Sequence, residues 1–251
     1  MLTSQRKLIL LDLLKWDGKI VAKSAAAQLD VSEDTIRRDL RELAGDGLLQ
    51  RVHGGALPAS PAMADFAARQ HISTDDKSAI GRAAAQLIQP GQVVFIDGGT
   101  TSAQLVRHLP PDLRATVVTH SPSVAVDLST HPTIEVIMLG GRLFKHSVVG
   151  VGSATVEAIR QVRADLYFMG VCSVHPEAGL STGDFEEAGV KRALSAAAAE
   201  TIVLASPEKL ATASPYQVIP LDELSGLVTM ASVAEDVLAP YRARGISIHL
   251  A

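Results

Sequence analysis

The chain has 251 residues, of which 47% are hydrophobic, 20% charged and 4% aromatic, with a formal net charge of −4 at pH 7. That composition excludes extended disorder and describes a globular chain rich in aliphatic core, long enough for one large domain or for a small domain joined to a medium one. Its single cysteine, Cys172, excludes an internal disulfide and fits a cytoplasmic protein, and no run of about eighteen uncharged apolar residues offers a membrane span. The acidity is uneven. Residues 1–55 hold nine Lys and Arg against eight Asp and Glu, leaving fourteen against nineteen in the rest, so the N-terminal part is near neutral and the remainder acidic.

The N-terminal stretch MLTSQRKLILLDLLKWDG has Asp12 and Lys15 interrupting its apolar residues and no small-residue cleavage site after it, so it reads as an amphipathic helix and not as a secretory signal. Helical periodicity recurs at Leu8, Leu11 and Leu14, at Ala25, Ala26 and Leu29, and at Ile36, Leu40 and Leu43, which predicts three short helices around one small core. Ser32 stands where a hydroxyl caps the third helix, after the turn at Asp30-Val31. With Ile36, Leu40 and Leu43 inward, Thr35, Arg37, Arg38 and Arg41 face other directions, and the first turns of such a helix reach base edges in a major groove. Arginine suits that task because its planar fork bonds guanine bidentately or clamps a phosphate. The alternative is a solvated surface pair between Arg38 and Glu42, four residues apart.

After Gly45-Asp46-Gly47, the segment from Leu48 to His53 is expected to pair antiparallel with the residues that follow a Gly54-Gly55 turn. This wing would present Arg51 and His53 to the DNA backbone or minor groove. Residues 6–56, through VSEDTIRRDL and the terminal RVHGGA, resemble the winged helix-turn-helix of the DeoR family of bacterial transcriptional regulators, mostly repressors of sugar-catabolism operons. The resemblance implies that Ser32, Thr35, Arg37 and Arg38 lie at the interface with operator DNA.

The stretch ALPASPAMADFAARQHISTDD, rich in Ala, Pro and Ser and without a clear period, reads as a linker. The expected organisation is a DNA-binding domain over 1–57, a linker over 58–73 and an α/β domain over 74–251. In that last domain short apolar runs at 93–97, 115–119, 134–139, 166–171, 201–206, 226–230 and 246–250 alternate with helical stretches such as Ala79–Leu87, Ser153–Arg163 and Phe185–Ala199. Buried, non-alternating strands separated by helices predict a parallel sheet covered on both faces.

The segment VVFIDGGTTSAQLVRHL passes from a buried strand through Asp97, Gly98, Gly99, Thr100, Thr101 and Ser102 into a helix. Glycines admit a close anion, helix N-terminal amides point at it, and the hydroxyls add donors, so the loop reads as a phosphate cradle. An ordinary βα turn capped by Thr is the simpler alternative. The Gly-Lys-Ser/Thr ending of a Walker loop and the G-x-G-x-x-G fingerprint are both missing, so no nucleotide cofactor is expected, and no metal. Further groups following strands are Thr119, His120 and Ser121, then Gly140, Gly141 and Arg142 with Lys145, then Lys209. Since ligands of open α/β sheets gather beyond the carboxyl ends of the strands, these groups are expected to share one mouth suited to a phosphorylated sugar or polyol.

Residues 75–250 resemble the DeoR-type effector domain, which shares its Rossmann-like fold with ribose-5-phosphate isomerase. The resemblance rests on IDGGTTSAQL, the GG of IMLGGRL, ADLYFMGV with the later GLST, and EEAGVKRAL. It implies that Asp97, Gly99, Thr100 and Thr101 hold the effector's phosphate or neighbouring hydroxyls, with Lys191 and Lys209 near the pocket. His120 stands where the family usually has Asn, Ser206 where an Asp is common, and Met230 where an Asp often closes a strand. A second reading is a sugar-phosphate isomerase-like enzyme, with Asp97, Glu186 or Glu187 as base and Lys191 beside it. The preferred reading is a homo-oligomeric repressor, dimer or tetramer, without catalytic activity.

Overall fold

A computed structural model describes residues 1–61 and 66–251; the part of the expected linker at 62–65 lies outside the described residues. The N-terminal unit runs α1 (Thr3–Asp17), β1 (Ile20–Val21), α2 (Ala22–Gln28), α3 (Glu33–Gly45), β2 (Leu49–Val52) and β3 (Gly55–Pro58). Its core is Leu10, Leu14, Ile20, Ala22, Ala25, Ala26, Ile36, Leu40, Leu43, Leu49 and Ala56. The first helix departs from the expected stripe. Arg6, Leu10 and Leu14 face inward, while Leu8 is 64% exposed. The cause is Arg6, whose guanidinium reaches Asp39 of α3 by two bonds, Nε to Oδ2 and Nη2 to Oδ1 at 3.0 Å, and braces the two helices beneath the protein surface.

The wing forms one residue earlier than expected. Val52 pairs with Gly55 and Arg51 with Ala56, so the two-residue turn is His53-Gly54, with Gly54 at φ +79°. Gly55 is a strand residue instead, also paired with Val21 of β1. A Cβ there would lie 1.7 Å from the Ile20 carbonyl oxygen, so only glycine lets the third strand close on the hairpin.

The remainder begins with α4 (Phe66–Arg69), α5 (Thr74–Ala85), β4 (Val93–Ile96), α6 (Thr100–Arg107), β5 (Thr116–Thr119), α7 (Pro122–Leu128), β6 (Glu135–Met138), β7 (Arg142–Phe144) and β8 (Val149–Val151). It continues with α8 (Ser153–Ile159), β9 (Ala164–Gly170), β10 (Ser173–His175), β11 (Gly179–Thr182), α9 (Phe185–Ala196), β12 (Ala198–Leu204), β13 (Tyr216–Gln217), β14 (Gly226–Thr229), α10 (Glu235–Arg242) and β15 (Ser247–Leu250). The seven apolar runs become one seven-stranded sheet in the order β15-β14-β12-β9-β4-β5-β6, parallel throughout. Separate apolar clusters cover its two faces, one around Phe95, Tyr167 and Val203, the other around Ile96, Phe168 and Leu204. Adjacent residues of one strand thus enter opposite cores, which is why these strands lack polar alternation.

From β4 the chain steps outward to β5 and β6, then returns to β9 and builds the other half of the sheet. The order reverses between β4 and β9, and a crevice opens at such a switch point beyond the strands' carboxyl ends. Two antiparallel additions, β7-β8 and β10-β11-β13, have no counterpart in the sequence reading. Among the described residues no helix is long and apolar enough to cross a membrane.

Candidate functional site

The outer face of α3 is polar and open. Ser32 caps the helix by accepting a hydrogen bond from the Thr35 amide at 3.2 Å, and the two hydroxyls lie 2.9 Å apart. Ser32, Arg37, Arg38, Arg41, Arg51 and His53 are exposed and Thr35 half-buried. The two central arginines differ. Arg37 is held along its own helix by Glu33 at 2.7 Å and Asp34 at 3.2 Å. Glu42, the alternative partner for Arg38, is instead taken by Lys7 at 2.6 Å, and Arg38 has no ion pair among the described residues. Arg38 could thus meet a partner without first breaking an ion pair, whereas Arg37 would first have to give up its carboxylates.

At the switch point the ends of β4, β9 and β11 and the start of α6 border a narrow cavity that opens to solvent. It is lined by Arg69, Gly98, Gly99, Thr100, Thr101, Ser102, Ser147, Gly170, Val171, Cys172, Thr182, Glu187, Lys191 and Lys209. Gly99 starts α6 at φ +124°, a conformation L side chains rarely adopt, and the first backbone bond of the helix is Ala103 N to Gly99 O. The preceding amides point out of the helix end, where the dipole favours an anion. Thr101 Oγ1 and Ser102 Oγ are buried and have no hydrogen-bond partner among the described residues. A native interior rarely leaves two adjacent hydroxyls unsatisfied, and both line this cavity.

Lys209 supplies the positive charge. It is buried, and no hydrogen bond or carboxylate pair to its ammonium occurs among the described residues. Burial pushes it down to about 8, against partial opposition from Cys172 and Glu208. An anion in the cavity returns what desolvation removes. Binding of a phosphate monoester, already dianionic with its second pKa at about 6, is expected to be strongest below pH 8 and to weaken by up to about tenfold per pH unit above it as Lys209 loses its proton. Calorimetric titrations at several pH values check this, and a flat profile contradicts it. The same group binds fewer protons folded than unfolded between about 8 and 10.5, so its contribution makes stability rise with pH across that window.

Asp97 does not line the cavity. Its carboxylate is fully buried and accepts from the Gly98 amide at 2.7 Å, His120 Nε2 at 2.8 Å, the Gly170 amide at 3.0 Å, the Tyr167 hydroxyl at 3.1 Å and the Lys191 ammonium. Burial alone would push the carboxyl up, but Lys191 and His120 outweigh it and hold the group far below the ordinary carboxylate range. All its acceptor capacity is spent inside the protein, which corrects its assignment as an effector contact. The ring of His120 also faces the Gly150 carbonyl, with Nδ1 at 2.8 Å.

Other expected contacts lie elsewhere. Thr119, His120 and Ser121 are buried under the β7-β8 hairpin: Thr119 donates to Ile96 O at 2.7 Å, Ser121 to Val148 O at 3.2 Å, and the Gly150 amide to His120 O at 2.7 Å. Gly140 and Gly141 pack on α8, where the Thr155 hydroxyl donates to Gly140 O at 2.8 Å and a Cβ on Gly141 would meet that hydroxyl at 2.0 Å. Arg142 is exposed and pairs with Glu186, and Lys145 is exposed. Neither borders the cavity, because β6 is the sheet edge, two strands beyond β4. Gly98 to Ser102, Lys191 and Lys209 do border it. The cavity also takes Gly170, Val171 and Cys172 after β9, Thr182, Ser147 and, from the linker, Arg69, none of them singled out for the site in the sequence, together with Glu187, which the sequence offered only as a candidate base. Glu187 accepts from the Thr182 hydroxyl at 2.9 Å and faces Lys191 at 3.5 Å, so that ammonium is neutralised from two sides.

Two family models match the chain: a DeoR-like helix-turn-helix domain over residues 6–61 and a DeoR C-terminal sensor domain over residues 72–231. The HTH-type transcriptional regulator GlpR of Haloferax volcanii is 32% identical over 99% of this chain and 98% of its own length. The glycerol-3-phosphate regulon repressor of Escherichia coli K12 is 33% identical over 76% of each chain. Among solved structures, ribose 5-phosphate isomerase A of Methanocaldococcus jannaschii aligns over 54% of each chain with 18% identity and a TM-score of 0.41, too slight a likeness to bear on function.

Proposed function

Because the chain belongs to the DeoR family of DNA-binding transcriptional regulators, we propose that it represses a sugar or polyol catabolism operon and leaves its operator when a phosphorylated sugar or polyol fills the cavity. The observation that carries this reading is the buried Lys209 beside two unpartnered hydroxyls at the N-terminus of α6. These groups are costly in the empty protein and satisfied by a phosphoryl group. The name of the Escherichia coli relative supplies glycerol 3-phosphate as a first probe.

Catalysis is the weaker reading. Asp97 is saturated by five donors and Glu187 is engaged by Thr182 and Lys191, so the carboxylates near the cavity lack the free acceptor that a general base needs. The protein acts as a cytoplasmic homo-oligomer, since one recognition helix reads only one half-site and an operator of two half-sites demands two copies. A near-neutral DNA-binding unit gains little from generic attraction to phosphate, so affinity rests on a few arginines. Arg38→Ala is expected to weaken operator binding about 10- to 100-fold while leaving phosphate-ester binding unchanged. Fluorescence anisotropy on an operator selected from genomic fragments reads the first and calorimetry the second. Operator affinity equal to that of the unsubstituted protein would remove α3 as the reading helix.

A further inference from the structure

The connection between the two units reaches the cavity from both of its described ends. On the N-terminal side, the Ala213 amide donates to Pro58 O at 3.0 Å, Ala59 bridges Ala213, and the Ser60 hydroxyl donates to Cys172 O. Cys172 lines the cavity, and Ala213 lies in the loop that follows Lys209. On the C-terminal side, Arg69 lines the cavity, and its guanidinium donates to His146 O at 3.2 Å and Ser147 Oγ at 3.5 Å. Lys77 of α5 holds the end of α4 by donating to Arg69 O at 2.7 Å. A smaller adjoining cavity, lined also by Pro61, Ile72, Lys77 and Glu208, shares Arg69, Thr100 and Lys209 with the first. Arg69, Lys77 and Lys209 thus converge on one narrow space with Glu208 as the nearby carboxylate, and Glu208 already accepts from Ser206 and Ser73. Their like charges push both lysines further down, in the same direction as burial.

We propose that the two described ends of the connector form a wall of the effector site: Arg69 and Lys209 together grip the anionic group, and the strand leaving the wing, tied by Ala59 and Ser60 to the cavity wall, carries occupancy to the DNA-binding unit. The proposal rests on the phosphate-binding reading of the cavity. Its chemistry is specific: a guanidinium fork matches two oxygens of one phosphoryl group, and an ammonium lining the same cavity adds a second positive group. Coupling follows without a long relay. A ligand that draws Lys209 and Arg69 together moves the Lys209–Ala213 loop and the Cys172 carbonyl, to which β3 is attached through two residues.

The test uses the full chain with glycerol 3-phosphate and inorganic phosphate as probes. Thermal shift and calorimetry are run on the unsubstituted protein, Arg69→Gln, Arg69→Lys and Lys209→Met, with hydrogen exchange of residues 55–60 recorded with and without saturating probe. Arg69→Gln is expected to weaken binding by about tenfold or more and Arg69→Lys by less, since it keeps the charge and loses the fork. Exchange at residues 55–60 is expected to change on binding. If Arg69→Gln fails to fold, Arg69→Lys carries the comparison. Binding lost in Lys209→Met and intact in both Arg69 variants overturns the connector's role and leaves the phosphate site standing. Weaker binding in the Arg69 variants with unchanged exchange at 55–60 overturns the transmission. Failure of every probe to bind the unsubstituted protein overturns the phosphate-site reading, and the proposal with it.

Discussion

Asp97→Ala is expected to destabilise the sensor domain by about 3–5 kcal/mol, because it removes one partner of a buried ion pair and leaves Lys191 charged and without its principal counter-ion. The loss is larger than that of an ordinary polar deletion. Five donors lose their acceptor together, and the Gly170 amide and Tyr167 hydroxyl lie in a closed interior where water does not replace it. For a domain of this size the melting temperature is expected to fall by about 6–20 °C. Asp97→Asn keeps the shape and one acceptor but not the charge, so it should fall between the two. Calorimetric melting of the ligand-free protein checks the prediction. A variant that melts normally and fails only to bind the ligand would restore Asp97 to the ligand's coordination shell.

Asp39→Ala is expected to cost the DNA-binding unit a similar 3–5 kcal/mol, a loss severe for a core of eleven buried apolar residues. Arg6 is 5% exposed and would be stranded between α1 and α3. Operator binding should disappear although Asp39, fully buried, touches no DNA. The double variant Arg6→Met with Asp39→Leu separates the two roles. If the pair serves only as a brace, filling its space with apolar atoms restores most of the stability, and DNA binding with it. Urea unfolding followed through the single tryptophan, Trp16 on α1, reports on this unit. Equal stability of Asp39→Ala and the unsubstituted protein would contradict the bracing role.

These two pairs also mark where sequence reading stops. The inner strands are legible because they run between two apolar layers and carry hydrophobic residues without alternation, whereas the edge strands β6 and β15, exposed or half-buried throughout, are legible from their apolar residues alone. The stripe of α1 was misplaced because its inward first turn is an arginine, and a charged residue in a core position erases the periodicity that reveals it. The resemblance gives Asp97 to the ligand, and nothing local in the sequence speaks against it; only the fold shows Lys191, 94 residues later, and His120 turned toward it. The glycine-hydroxyl loop points to Gly98 to Ser102 and the rule that ligands sit beyond strand ends to Lys209, all of which border the cavity, but that rule also recruits Gly140 to Lys145, which do not. It lacked the strand order. Once β4 and β9 are neighbours and β6 is the edge, Gly170 to Cys172 replace the GGR loop at the cavity. Arg69 was hidden for another reason, lying in a segment whose composition signals only a joint.

The central claim, that a phosphorylated small molecule in the cavity switches DNA binding, is tested most directly by titrating glycerol 3-phosphate into the full chain bound to its selected operator. Release is followed by anisotropy, with glycerol as the uncharged control and Lys209→Met as the cavity variant. The account predicts that the phosphate ester releases the unsubstituted protein, that glycerol does not, and that Lys209→Met stays bound at ester concentrations that release the unsubstituted chain. Release of Lys209→Met at the same ester concentration, or release by glycerol alone, would contradict it.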